Sequence, residues 1–159
     1  MNIISIIPAR MGSKGLPLKN RKLVPITISS IVDYFEKIIL TTDDPEIISY
    51  AQSLKKKNII IRDRPKELST DETSMKDTLI DVIKNCNVKS HDKLIVLYPT
   101  YPERRVEDIS QVYEFFKRHN LKSALCSKEV KTNPYMCLRE ENDHFGSPLF
   151  SHSLYRRQD

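Results

Sequence analysis

Short apolar runs alternate with longer amphipathic stretches along this chain. Four runs of mostly β-branched residues, at positions 3–7, 37–41, 58–61 and 93–97, predict strands that are buried on both faces of a sheet. A fifth and weaker candidate, at positions 123–127, has small residues where the others have branched ones. The pattern therefore indicates four strands and a possible fifth, separated by helical segments.

The amphipathic stretches predict helices at about residues 44–56, 74–85 and 106–119. Asp44 is the expected cap of the first helix, because Pro45 suits the first helical position after it. The side chains expected to face the core are Ile47, Ile48, Ala51 and Leu54 in the first helix, Leu79, Val82 and Ile83 in the second, and Ile109, Val112, Tyr113 and Phe116 in the third.

Strands that alternate with helices imply right-handed crossovers and a mostly parallel sheet with helices on both faces. The predicted fold class is therefore α/β, a Rossmann-like three-layer αβα arrangement. Ligands of such sheets bind at the carboxyl ends of the strands. Functional residues are expected from Pro8, Thr41, Arg62 and Tyr98 onward.

Composition narrows the class of protein. The chain has 159 residues, of which 39% are apolar, and this favours one globular domain. Its formal charge of +5 suggests an anionic partner. A nucleoside triphosphate would satisfy that charge, whereas nucleic acid is not expected, because the sequence shows neither a continuous basic stripe nor an aromatic stacking platform.

Cysteines and apolar segments bear on the compartment. Cys86, Cys126 and Cys137 lack the spacing of a metal site, which favours buried thiols in a reducing compartment. The N-terminal apolar run is too short for a signal peptide, and no run reaches the roughly 20 apolar residues that a membrane span needs. We therefore expect a cytoplasmic protein that does not contact a membrane.

The densest chemistry follows the first predicted strand, in the segment IPARMGSKGLPLKN at residues 7–20. Two of the three glycines of the chain lie here, where backbone N–H groups can turn inward to bind an anion. Arg10, Lys14 and Lys19 are spaced to surround that anion, as a triphosphate would require. The segment is neither a Walker P-loop nor a dinucleotide-binding turn, and a solvated basic loop is the alternative interpretation.

This segment closely resembles the opening signature of the acylneuraminate (CMP-sialic acid) cytidylyltransferases. Five further motifs follow in the order of that family: TTDD at 41–44, RPKELSTD at 64–71, YPTYPER at 98–104, NPY at 133–135 and RRQD at 156–159. Together the six motifs span nearly the whole chain, whereas any one of them alone would be weak. The related CMP-ketodeoxyoctonate enzymes tend to carry SSRLP where this chain has SKGLP at residues 13–17, so the sialic-type branch is the better match.

The resemblance implies a fold of the nucleotide-diphospho-sugar transferase type and a transfer of CMP from CTP to an acidic nine-carbon sugar. In that reaction the anomeric hydroxyl of the sugar attacks the α-phosphorus of CTP and pyrophosphate leaves, so catalysis is mostly positioning and charge neutralisation. The resemblance also implies Mg²⁺ as cofactor and a homodimer. Residues 1–130 would form the nucleotide-binding domain, and residues 131–159 an arm used in dimerisation and sugar binding.

Site residues are carried over by resemblance onto the matching positions. Arg10, Lys14 and Lys19 are the predicted catalytic residues, because they would steady the leaving pyrophosphate. The predicted nucleotide-binding residues are Ala9, Arg10, Met11, Gly12, Ser13, Lys14, Gly15, Lys19, Asn20, Arg64, Asp71 and Ser74. The predicted sugar-binding residues are Tyr98, Thr100, Arg104, Arg156, Arg157 and Gln158, among which the arginines suit a carboxylate.

Several of these residues have a plainer interpretation. Arg64 and Glu67 are alternatively surface charges beside a proline turn. The pair Asp43 and Asp44 is first of all a helix cap. The tyrosines Tyr98, Tyr101 and Tyr135 are alternatively packing residues, and the four histidines show no partner pattern. A nucleotide-binding or assembly module without turnover is the alternative function.

The chain also departs from the family. Val24-Pro25-Ile26-Thr27 leads directly into a helix of about three turns or fewer, where the family has a longer connection. Glu103 places a carboxylate beside the expected sugar pocket, where it would repel an acidic sugar unless Arg104 or Arg105 neutralises it. The family continues past the RQD motif to an aspartate pair that binds the metal, so we expect this chain to bind CTP and to turn it over slowly or not at all.

Overall fold

The computed structural model describes residues 3–12, 16–127, 137–140 and 146–148. The chain divides into two units, residues 1–115 and 116–159. The second unit contains an antiparallel pair of short strands, β5 (Leu138–Glu140) and β6 (Gly146–Pro148). The predicted division into residues 1–130 and 131–159 remains a prediction, as does the dimerisation arm.

The first unit contains a four-stranded parallel sheet, which confirms the four predicted strands and the α/β class. Its elements in chain order are β1 (Ile3–Pro8), α1 (Lys19–Ile31), β2 (Lys37–Thr42), α2 (Pro45–Ser53), β3 (Ile59–Asp63), a short 3-10 turn (Lys66–Leu68), α3 (Met75–Asn85), β4 (Lys93–Val96) and α4 (Val106–Arg118), whose last residues enter the second unit. The strand order is β3-β2-β1-β4. All three strand pairs are parallel.

Helices cover both faces of this sheet, as the alternating pattern predicts. One face packs α1, α2 and α4 through Ile28, Ile47 and Ile109, all at most 5% exposed. The other face packs α3 through Val82 and Cys86. Because β1 and β2 are buried on both sides, their sequences are nearly continuous runs of large apolar residues.

Polar side chains terminate the helices. Asp44 caps α2 by accepting a hydrogen bond from the backbone N–H of Glu46 at 3.0 Å, as predicted. Ser74 caps α3 in the same way, through the N–H of Asp77 at 3.1 Å. Near the other end of α1, the amide of Asn58 donates to the carbonyls of Val32 and Phe35. These side chains satisfy backbone groups that a helix end leaves without an intrahelical partner.

Helix α1 begins earlier than predicted. It starts at Lys19 and contains Pro25, so residues 24–27 do not form a connection ahead of it. Proline in a helix interior removes one backbone hydrogen bond and costs about 3 kcal/mol. The burial of Val24, Ile28 and Ile31, each at most 1% exposed, offsets that cost.

Other sequence expectations are corrected by the structure. Residues 123–127 form no strand, because their one large apolar side chain, Leu125, is 91% exposed and so gains nothing from burial. Ile83 and Val112 lie outward, at 41% and 37% exposure, because the buried stripes of α3 and α4 are narrower than predicted. Cys86 is a buried thiol as expected, but Cys126 is exposed. Among the described helices, none is both long and apolar enough to cross a membrane.

Candidate nucleotide-binding site

The carboxyl ends of the four parallel strands place four loops along one edge of the sheet. These loops begin after Pro8, Thr42, Asp63 and Val96. The strand order reverses between β1 and β4, since the chain builds outward from β1 to β3 and then returns to the other side of β1. Ligands of open α/β sheets bind in the crevice at such a reversal. The loops after β1 and β4 are therefore the expected walls of the site.

The first residues of the loop after β1 are held by backbone and side-chain hydrogen bonds. The N–H of the fully buried Ala9 donates to the carbonyl of Thr41 at 2.9 Å. The N–H of Met11 donates to Oδ1 of Asp43 at 2.7 Å. The side-chain amide of Asn20 donates to the carbonyl of Arg10 at 2.8 Å. Residues 9–11 are thus fixed by β2, by the turn after it and by the first turn of α1.

The other predicted residues of this loop are distributed around that anchored part. Lys19 is the first residue of α1 and is half-buried, rather than lying on the loop itself. Ser13, Lys14 and Gly15 lie outside the described residues. Gly12 is described, and its backbone does not need glycine, because its φ is not positive and an added Cβ would come no closer than 3.9 Å to Arg10. The left-handed residue at the start of α1 is instead Leu18, with φ of 55°.

Arg10 and Asp71 lie together in the structure. The guanidinium group of Arg10 forms a salt bridge with the carboxylate of Asp71, and both side chains are about one-third exposed. The two residues were predicted for the same nucleotide from motifs that lie 61 positions apart. Their contact joins the loop after β1 to the segment that leads into α3.

Arg64 is buried at the end of β3, which rules out the surface-charge interpretation of this residue. It is 6% exposed, and its guanidinium group donates to Oγ1 of Thr41 at 3.2 Å and to the carbonyl of Thr41 at 3.0 Å. Burial lowers the pKa of Arg64, the charge of Asp43 partly opposes this effect, and the charge of Arg10 adds to it. The charges of Arg10 and Asp43 both act on the buried Arg64, so Arg64 belongs to the same cluster as the loop after β1.

Ser74 is the N-cap residue of α3. Its hydroxyl accepts from the N–H of Asp77 and donates to Oδ2 of Asp77 at 2.7 Å, so its donor and one acceptor position are already used. Its predicted role in holding the nucleotide remains a prediction.

The predicted sugar-binding residues of the loop after β4 lie at the expected edge. Tyr98 and Thr100 are exposed, and Arg104 turns back over its own loop. The guanidinium group of Arg104 donates to the carbonyl of Tyr98 at 3.3 Å and lies 5.8 Å from the ring centre of Tyr101. Arg105 pairs with Asp108 at 3.1 Å.

The predicted sugar-binding residues of the C-terminal segment, Arg156, Arg157 and Gln158, lie outside the described residues, as does the NPY motif.

Two residues of this edge were missed as parts of a site. Asp43 was interpreted as a helix cap, but Asp44 provides the cap, and Asp43 holds the loop after β1. Arg21 was given no role, although its guanidinium group binds Asp44 at 2.8 Å and also pairs with Glu46. The available signal was the place of Arg21 in the first turn of α1, which directly follows the loop after β1.

The described residues contain no ready-made cluster of metal ligands. No group of three or more histidine, cysteine or acidic side chains within the described ranges is arranged to hold a metal ion. Three aspartates at this edge already have partners: Asp43 a backbone N–H, Asp44 Arg21, and Asp71 Arg10. Mg²⁺ beside a nucleotide usually takes only one or two carboxylates in addition to the phosphates, and each of these carboxylates has more acceptor positions than one contact uses.

Comparison with known proteins identifies the family. The family model described as cytidylyltransferase matches residues 4–142, which is most of the chain. The chain therefore belongs to the cytidylyltransferase family.

Curated relatives act on related acidic sugars, according to their names. The chain is 28% identical to the N-acylneuraminate cytidylyltransferase of Streptococcus agalactiae, over 100% of this chain and 40% of the relative. It is 31% identical to the pseudaminic acid cytidylyltransferase of Campylobacter jejuni, over 82% of this chain and 60% of the relative. It is 30% identical to the CMP-N,N'-diacetyllegionaminic acid synthase of Legionella pneumophila, over 86% of this chain and 62% of the relative. The chain thus spans about two-fifths to three-fifths of the length of these relatives.

Proposed function

We propose that this chain binds CTP at the loop after β1 and serves the transfer of CMP to an acidic sugar of the nonulosonate kind, with release of pyrophosphate. The observation that carries the proposal is the cluster of Arg10, Lys19, Asn20 and Arg64 at the carboxyl edge of the sheet in a chain of the cytidylyltransferase family. Sialic, pseudaminic and legionaminic acids occur in the names of the relatives, which supports the class of sugar without selecting one.

The residues of the loop would bind and orient the triphosphate. Lys19 stands at the start of α1, and the positive end of a helix dipole favours a phosphate. Arg10 would neutralise charge on the phosphates as the bond to the leaving pyrophosphate breaks. The sugar hydroxyl would attack the α-phosphorus in line, from the side of the loop after β4.

The sugar would be held by the loop after β4. Tyr98 and Thr100 are exposed there, and Arg104 offers a guanidinium group that suits the carboxylate of the sugar. Arg105 is paired with Asp108, so it is not the residue that neutralises the negative charge of Glu103. The predicted contribution of Arg156, Arg157 and Gln158 completes this part of the proposal.

Magnesium enters the proposal only as a partner of the nucleotide phosphates. The family resemblance implies that the ion would neutralise charge on the triphosphate.

A nucleotide-binding module without turnover is the second candidate function. The described residues support phosphate binding most directly: Arg10 and Arg64 lie at the carboxyl edge of the sheet, whereas Asp44 and Asp71 are each paired with an arginine. Binding without metal stabilises the ground state and the transition state more nearly alike, so it would accelerate the reaction little.

Assembly is a further part of the proposal. The resemblance implies a homodimer in which residues 131–159 approach the site of the other subunit. Light scattering at micromolar concentration tests this, and a monomer would contradict it.

One experiment separates the two candidate functions. CTP binding is measured by calorimetric titration, with ATP and UTP as controls, and pyrophosphate release is then followed with CTP, Mg²⁺ and N-acetylneuraminate or a related nonulosonate. Binding of CTP with sugar-dependent release supports the transferase, and binding without release supports the module. Absence of CTP binding would contradict both.

A further inference from the structure

Arg21 connects α1 to the turn between β2 and α2, beside the loop after β1. It lies in the first turn of α1, directly after Asn20, and its side chain reaches the turn between β2 and α2. Nε of Arg21 donates to Oδ2 of Asp44 at 2.8 Å, and the same guanidinium group pairs with Glu46. Its remaining nitrogen lies 3.9 Å from the sulfur of Met11.

Asp44 is a buried carboxylate, and Arg21 is the cation bound to it. The side chain of Asp44 is 1% exposed, whereas that of Arg21 is 25% exposed. The other oxygen of Asp44 caps α2, and its backbone N–H donates to Oγ1 of Thr42 at 3.1 Å. A buried charge requires such pairing, because an uncompensated carboxylate in the interior is strongly destabilising. The hydrogen bond to Asp44 correspondingly raises the pKa of Arg21.

The contacts of Arg21 complete a closed set of hydrogen bonds around residues 10–11. Asn20 holds the carbonyl of Arg10 from α1, and Asp43 holds the N–H of Met11 from the turn after β2. The pair of Arg21 and Asp44 joins these two supports to each other. Helix α1 has no side-chain cap at Leu18, so this pair is a specific polar tie between its first turn and the neighbouring turn.

We propose that Arg21 is a positioning residue for phosphate binding: by holding α1 against the turn after β2, it sets the places of Lys19, Asn20 and the loop after β1. The inference rests on the proposed function, because it assigns this geometry to the binding of a triphosphate. Arg21 itself need not touch the nucleotide.

The test compares Arg21→Met with Lys22→Met in the full chain. Lys22 is the next residue of α1 and is exposed, so its replacement removes the same charge without removing the tie to Asp44. CTP and inorganic triphosphate are each titrated calorimetrically. We expect Arg21→Met to weaken both by about tenfold, the loss typical of a charge-assisted contact, and Lys22→Met by about twofold or less. Arg21→Lys should retain part of the affinity, since it keeps the charge and one donor.

Hydrogen exchange of the Met11 amide without nucleotide measures the positioning directly. Its exchange should be about tenfold faster in Arg21→Met and unchanged in Lys22→Met, because loss of the tie frees the loop locally. A second variant, Arg21→Met with Asp44→Asn, removes the carboxylate that the first change leaves unpaired and provides a folded protein if the single variant unfolds.

The outcomes distinguish the inference from the proposed function. Equal weakening by Arg21→Met and Lys22→Met, or an unchanged Met11 amide in Arg21→Met, would overturn the positioning role alone. Failure of the unaltered chain to bind both CTP and inorganic triphosphate would contradict the proposed function, and with it the purpose assigned to Arg21.

Discussion

The carboxylate of Asp71 is paired with the guanidinium group of Arg10, the cation that the loop after β1 would offer to a triphosphate. Two groups predicted for one ligand thus bind each other. A phosphate that binds Arg10 must share it with Asp71 or replace Asp71. The pair therefore orients Arg10 and at the same time competes with an anion for it.

Replacement of Asp71 by asparagine should strengthen phosphate binding. Asp71→Asn keeps a hydrogen-bond acceptor for Arg10 and removes the competing charge, so we expect inorganic triphosphate to bind a few-fold more tightly, by about 0.5–1 kcal/mol. Calorimetric titration measures this. Glu72→Gln, which removes a charge from the adjacent exposed residue, is the matched control and should have a smaller effect. Weaker binding of triphosphate in Asp71→Asn would mean that Asp71 helps by orienting Arg10 more than it hinders by competing for it.

Loss of the cations at and beside the loop after β1 should weaken nucleotide binding. Arg10→Ala and Lys19→Ala should each weaken CTP binding by roughly 1–3 kcal/mol, the range for a charge-assisted contact. The control is Lys57→Ala, which removes an exposed charge after α2. Unchanged CTP affinity in both loop variants would exclude this loop from the site.

The architecture of the first unit was predictable because its strands are buried on both faces. Ile4, Ile6 and Ile39 pack on one side and Ile7, Ile38 and Leu40 on the other, so the apolar runs are continuous and distinct from the helical pattern. Pro25 misled the prediction of α1, because a local helix breaker was outweighed by the burial of three apolar side chains around it. Residues 123–127 led to the opposite error, a strand that does not form. A weak strand pattern becomes a strand only beside a neighbouring strand, and sequence alone does not show whether one is present.

The candidate site was predictable as a set of residues and less so as a set of contacts. Motif resemblance placed Arg10, Asp71 and Arg64 around one ligand. In the structure Arg10 pairs with Asp71, and the charge of Arg10 also acts on the buried Arg64. The roles of Asp43 and Arg21 depend on which side chains face one another across two loops. Sequence spacing does not contain that information.

Acid should destabilise the fold partly through Asp81. Arg62 donates two hydrogen bonds to this carboxylate, at 2.8 and 2.7 Å, and they hold the pKa of Asp81 below its ordinary value. A carboxylate whose pKa is lower in the folded state stabilises the protein above its unfolded pKa of about 3.9, and this stabilisation is lost as the pH falls through the folded value.

Urea unfolding at pH 7 and at successively lower pH values tests this contribution. Asp81→Asn should lower the free energy of unfolding by about 1–2 kcal/mol at pH 7, and the difference from the unaltered chain should shrink below about pH 4. Asp33→Asn is the control, because that carboxylate is 85% exposed and pairs only at the surface with Lys56. A constant difference between Asp81→Asn and the unaltered chain at all pH values would show that the residue acts through packing instead.

Arg64 should matter more for the ligand than for the fold. Its charge is buried, and burial disfavours that charge. Arg64 has two acceptors on the buried Thr41: the carbonyl, which also receives the N–H of Ala9 and keeps that partner without Arg64, and Oγ1, which loses its bond to Arg64. Replacement by an apolar side chain of similar length therefore relieves an unfavourable burial at the cost of one neutral hydroxyl contact.

We expect Arg64→Met to change the free energy of unfolding by no more than about 1 kcal/mol, while CTP binding weakens by roughly tenfold or more. Urea unfolding and calorimetric titration give the two numbers on the same preparation. Arg62→Met removes the arginine of β3 that lies two residues before Arg64. It should lower the free energy of unfolding and leave CTP binding nearly unchanged, since Arg62 holds Asp81 and not the loop. If Arg64→Met unfolds easily and still binds CTP with unchanged affinity, Arg64 is a structural residue of the sheet edge and not part of the nucleotide site.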